Sequence, residues 1–160
     1  MIGITIICVG RMKERYYSDA ANEYIKRLSG YCNTEIIELR EHRLPDAPSD
    51  VQIALALKKE SAAIADKRPG AVPAFALCVE GREMDSRELA GMLDRYAGRG
   101  ASRLCFIIGG SYGLHENVKN TVDIKLSLSK MTFPHNLARI ILLEQLYRSF
   151  KIAEGGKYHK

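Results

Sequence analysis

Five short apolar runs recur along the chain with helical periods between them, at Ile2–Val9, Thr34–Leu39, Ala74–Val79, Arg103–Ile108 and Asp123–Leu128. Runs of this length that are apolar on both faces suit strands covered from above and below. The intervening segments read as helices. Tyr17, Ala21, Tyr24 and Leu28 form one apolar stripe at helical spacing. Ser49 or Asp50 can cap a helix through "VQIALALKKESAAIADK", which stops before Pro69-Gly70. Asp85 with Glu88 three residues on predicts a capping box for "SRELAGMLDRYA", with Gly98 as its stop. The alternation therefore predicts an α/β fold: a mostly parallel sheet with helices on both faces. A length of 160 residues accommodates one core, so residues 1–160 read as a single domain, with 41–50 as its loosest loop.

In a parallel sheet the loops leaving the carboxyl ends of the strands share one edge, where ligands bind. Those loops are expected at Gly10–Lys13, Glu80–Met84, Gly109–Gly113 and Ser129–Phe133. The first is basic, since Arg11, Lys13 and Arg15 follow the first strand, and the chain ends in "GGKYHK". A formal charge of +5 is compatible with a phosphate-rich partner, and basic residues mixed with aromatics suit phosphate contact plus base stacking. The four cysteines Cys8, Cys32, Cys78 and Cys105 show no C-x-x-C spacing, which points to reduced thiols and no metal. No apolar run approaches the ~20 residues of a membrane span, and "MIGITIICVG" reads as a strand rather than an export signal. A cytoplasmic location is expected.

Three motifs concentrate the chemistry. "FIIGGSYGL", residues 106–114, runs a buried strand into paired glycines that let a ligand approach bare backbone. Gly109-Gly110-Ser111-Tyr112-Gly113 also satisfies G-x-S-x-G, the nucleophile elbow of serine hydrolases, with Asp123 and then His135 or His159 in the matching chain order. That architecture needs further strands after the elbow, and only one follows. "LSLSKMTFPH" crowds polar and bulky residues into one strand-to-helix joint; Thr132 or Phe133 can cap the helix, with Pro134 in its first turn. "NLARIILLEQLYRSF" is apolar over more than half its circumference, so this helix is expected to meet both the sheet and a second surface, such as another copy of the chain. A non-catalytic RNA-binding module that uses only the basic edge is the remaining alternative to an enzyme.

Taken together, "FIIGGSYGL", "LSLSKMTFPHNLARIILLEQLYRSFKI", the terminal "YHK" and the N-terminal "ICVGRMKERYYSDAANEYIKRL" resemble the ribosomal large subunit methyltransferase H family over essentially the whole chain. Arg82 stands in "VEGRE" where a lysine is frequent in that family, and the loop at 42–52 does not align with it. The resemblance implies a SPOUT-class α/β fold with a deep C-terminal trefoil knot, and a homodimer. It implies methyl transfer from S-adenosylmethionine to N3 of a pseudouridine in a stem-loop of 23S rRNA on the ribosome. Cofactor contacts would map onto Leu77, Gly109, Leu128, Ser129, Lys130, Met131, Thr132 and Phe133. His159 becomes the candidate for proton handling, Tyr158 for stacking or positioning the base, and Arg139 for steadying negative charge.

Overall fold

The computed structural model describes residues 1–155. Its elements alternate as expected: β1 (Ile2–Val9), α1 (Arg15–Leu28), β2 (Cys32–Leu39), α2 (Asp50–Lys67), β3 (Ala74–Glu83), α3 (Ser86–Gly98), β4 (Arg103–Ile108), α4 (Glu116–Lys119), β5 (Ile124–Ser127) and α5 (His135–Ala153). The strands form one sheet in the order β2-β1-β4-β3-β5. Every pairing is parallel: Ile2 lies opposite Cys32, Gly3 opposite Arg103, Ala74 opposite Cys105 and Phe75 opposite Ile124.

The period of two along β1 sorts the core into two layers. Ile4, Ile6 and Cys8 face a cluster that includes Leu28 of α1, Leu93 of α3 and Leu142, Leu143 and Leu146 of α5. Ile7 and Val9 face the opposite layer, where Ile64 of α2 and Val118 of α4 close the sheet. Each fully buried leucine of α5 contributes ~1.5–3 kcal/mol of burial. Capping follows the sequence reading in two helices: Ser49 accepts from the Gln52 amide, and Asp85 accepts from the Arg87 and Glu88 amides.

The structure departs from the sequence expectation at three places. β3 continues to Glu83, so 80–83 is strand rather than the start of a loop. The ladder slips between Leu77 and Arg82, which both face Leu126, and the strand then re-pairs Glu83 with Ser127. Gly81 makes this possible, because a Cβ there would strike the Lys125 and Leu126 backbone at 2.7–2.8 Å. The charged Glu80, Arg82 and Glu83 conceal the strand from an apolar-run reading. Second, α5 is capped by Pro134 and not by Thr132 or Phe133, with no side-chain cap. Third, the one-turn α4 has no sequence period that would reveal it; His115 caps it by accepting from the Asn117 amide.

Candidate functional site

All five strands point the same way, so the segments after β1, β4 and β5 meet at one edge. Two clefts open there. The smaller, of about 640 Å³, is walled by the bulged end of β3, the turn after β4 and the joint between β5 and α5. It brings together Leu77, Gly109, Leu128, Ser129, Met131, Thr132 and Phe133. Lys130 is exposed and does not line the cleft.

The turn after β4 owes its shape to Gly109, whose added Cβ would collide with the Gly113 carbonyl. The Gly113 amide donates back to the Gly110 carbonyl at 3.1 Å, closing a tight hairpin whose bare backbone faces the cleft. The facing joint is tied by its serines. Ser127 Oγ donates to the Ser129 carbonyl at 2.9 Å, and Ser129 Oγ accepts from the Met131 amide at 3.0 Å. Local side-chain bonds of this kind replace ladder bonds where a strand must stop, which accounts for small polar residues at the joint. Among the described residues, the main-chain amides of Thr132 and Phe133 find no acceptor. An apolar slot of Leu77, Ile108, Leu114 and Phe133 with unclaimed backbone donors at its wall suits a flat, uncharged heterocycle.

Several lining residues escaped the sequence reading. Cys78 on β3 and Lys119 on α4 carry no motif that marks them, and Leu114 follows directly on the Gly109–Gly113 turn. Lys119 donates to Glu80 at 2.5 Å and pairs with Glu116 at 3.4 Å. The Lys119 hydrogen bond holds the Glu80 carboxyl below its ordinary range.

Arg139 is 3% exposed and lines neither cleft. Its guanidinium donates to Glu38 Oε1 at 2.6 Å and to the Gly10 carbonyl at 3.2 Å, tying α5 to the ends of β2 and β1. Cys8 lies beside this pair, and burial pushes its thiol up to about 12 despite the lowering effect of Arg139. Tyr158 and His159 lie outside the described residues.

The hydrolase alternative loses its geometry. Asp123 accepts from the Ala74 amide at 2.8 Å, at the amino edge of the sheet, whereas Ser111 sits beyond the carboxyl end of β4. The two are on opposite edges and cannot share a histidine. Among the described residues, no group of three or more His, Cys, Asp or Glu is assembled as a metal site, and no helix is long and apolar enough to cross a membrane.

A larger cleft of about 820 Å³ adjoins the first. Its walls are the β1–α1 loop, residues 40–46, one face of α2 and the start of α5, and it shares Ser111, Tyr112 and His135 with its neighbour.

A family described as "Predicted SPOUT methyltransferase" matches residues 2–159. A protein of Methanococcus maripaludis is 47% identical over 159 residues, which are 99% of this chain and 100% of its own. The ribosomal RNA large subunit methyltransferase H of Acetivibrio thermocellus is 46% identical over 157 residues, 98% of this chain and 99% of its own. Among solved structures, a probable methylase family protein from Haemophilus influenzae superposes with a TM-score of 0.55 at 13% identity, covering 99% of this chain and 70% of that one.

Proposed function

This chain belongs to the SPOUT methyltransferase family, within its ribosomal RNA large subunit methyltransferase H branch, and we propose that it methylates N3 of a pseudouridine in 23S rRNA, using S-adenosylmethionine. The observation that carries this reading is the 640 Å³ cleft, where seven of the eight expected cofactor contacts converge on exposed backbone. The adenine would lie between the Gly109 turn and the Leu128–Phe133 joint, its ring edge meeting the free amides of Thr132 and Phe133. No pyrophosphate is present in this donor, so a phosphate-cradling glycine fingerprint is not required.

S-adenosylmethionine supplies a methyl group made electrophilic by its sulfonium. The acceptor N3 loses its proton and gains that methyl, and S-adenosylhomocysteine leaves. The protein's contribution is chiefly to align the two reactants. In this reading His159 handles the N3 proton and Tyr158 positions the base. Arg139 steadies the site indirectly: its charge is already met by Glu38, so it acts by holding the Gly10 turn against α5. The enzyme is cytoplasmic and works on the ribosome as a homodimer, with the C-terminal part of the chain threaded through a trefoil knot. Leu137 and Ile141, partly exposed and one helical turn apart on α5, support the dimer because neither joins the two packed cores.

Calorimetry with S-adenosylmethionine tests the cofactor, with displacement by S-adenosylhomocysteine expected. A methylation assay on intact ribosomes and on free rRNA, followed by mass mapping of the modified nucleotide, tests the substrate. Absence of heat with the donor, or a methyl mapped to another atom, overturns the reading.

A further inference from the structure

We propose that the larger cleft is the groove that seats the RNA strand, with Arg11, Lys13, Arg40 and Arg43 on its phosphates and the target nucleotide entering the cofactor cleft past Tyr112. The inference rests on the methyltransferase reading and adds to it where the substrate lies. Arg11, Lys13, Arg40 and Arg43 all line this cleft, all are exposed, and among the described residues none has an ion-pair partner. Arg15, from the same basic cluster, differs: it lies outside the cleft and pairs with Asp19 at 3.6 Å. Four unpaired cations converging on one concave surface make an electrostatic footprint for a polyanion.

The cleft also contains carboxylates. Glu41 Oε1 accepts from the Ser111 amide at 2.7 Å, and the buried Glu60 accepts from the His42 amide at 2.9 Å. These two acids hold residues 41–42 to the Ser111 turn and to α2, building the groove wall. Glu14 and Asp46 remain exposed among the lining residues, so the phosphate path follows the positions of the cations rather than a uniform positive field.

The start of α5 adds a polar floor. α5 has no side-chain cap and no acidic residue in its first turn, so its positive end is open, and phosphates bind such ends. Asn136, in that first turn and lining the cleft, is 8% exposed, and its Oδ1 has no hydrogen-bond partner among the described residues. That oxygen is itself sealed from solvent, so Asn136 shapes the floor of the groove without meeting the strand through Oδ1. Tyr112, 48% exposed, stands where the two clefts meet and offers a ring face to an unstacked base. A stem-loop nucleotide thus has a continuous route from backbone anchoring to the methyl donor.

The test uses the full-length protein and two double variants, Arg11→Gln/Lys13→Gln and Arg40→Gln/Arg43→Gln. Each is expected to raise KM for the ribosomal substrate about tenfold and to reduce the log–log salt slope by about 1.4, the change for two cations withdrawn from a single-strand backbone. S-adenosylmethionine affinity is expected to stay within about twofold, because these side chains lie outside the cofactor cleft. An unchanged KM and salt slope in both double variants, with methyl transfer intact, would overturn the proposal. If the wild-type protein transfers no methyl group, the enzymatic reading fails separately; filter binding of a 23S rRNA fragment by the same variants then decides whether this cleft holds RNA. Thermal melts check folding, and single Arg11→Gln and Arg43→Gln variants replace any double variant that melts early.

Discussion

Individual side chains here are constrained by what lies opposite them more than by their own type. Gly109 is required because the Gly113 carbonyl occupies the space of a Cβ. Gly109→Ala is expected to weaken S-adenosylmethionine binding at least about tenfold, ~1.4 kcal/mol, as calorimetry would show. Glu38 neutralises the almost wholly buried guanidinium of Arg139, whose relative exposure is 3%. Removing one partner of a fully buried pair costs ~3–5 kcal/mol. Glu38→Ala is expected to cost about 2 kcal/mol in chemical unfolding, less than the buried figure because Glu38 is itself 34% exposed. Burial, the largest influence on Glu60, raises its carboxyl above the ordinary range, with Glu41 adding to the effect and the His42 amide opposing it. The folded state therefore keeps a proton that the unfolded chain has released. Its stabilising contribution is complete below the ordinary carboxylate range and is lost as pH rises through the raised value. Glu60→Gln retains an acceptor for His42, so its melting temperature should gain on wild type as pH rises from about 4 to about 8. A constant difference across that range would refute the argument.

Among the elements, α5 shows how a surplus of apolar surface is resolved. The helix packs between α1 and α3 over the sheet, and Ile140, Tyr147 and Phe150 join that layer as partly buried members. Tyr31 stacks on Phe150 with ring centroids 5.8 Å apart. Much of the excess is thus absorbed within one chain, and Leu137 and Ile141 stay partly exposed outside both core layers, where the proposed dimer would cover them. Ile141→Glu is expected to yield monomers in analytical ultracentrifugation while still folding. Leu142 is fully buried and unsuitable for that test, because a charge there would disrupt the core itself. Leu143→Ala should cost ~2–5 kcal/mol through the cavity it leaves. The caps of α2 and α3 are legible because a capping box is local, compact and chemically explicit. The start of α5 is not, because Thr132 and Phe133 serve the cleft wall and Pro134 ends up outside the helix.

For the molecule as a whole, truncation tests the roles proposed for the tail and the smaller cleft separately. Deleting residues 156–160 is expected to abolish methyl transfer while preserving S-adenosylmethionine binding, since the expected cofactor contacts all precede the tail. Loss of both activities would assign the tail a role in building the cleft instead. The five strands, the helices α1, α2, α3 and α5 and the parallel sheet follow from residue patterns alone, because periodicity and caps operate over a few neighbouring residues, whereas the one-turn α4 and the charged end of β3 do not. Seven of the eight positions implied by the family resemblance line the smaller cleft. Strand order lay beyond local pattern: nothing within "IKLS" says that it pairs with β3 rather than β4. That choice lets Gly81 press on the β5 backbone and ties Asp123 to the Ala74 amide at the amino edge, across the sheet from Ser111. The second cleft likewise exists only once the basic loop after β1 meets residues 40–46 and the start of α5, segments drawn from opposite ends of the chain. Short-range chemistry specifies which elements form; the packing of distant elements specifies which side chains share a cavity, because that depends on burial and pairing free energies summed over the whole fold.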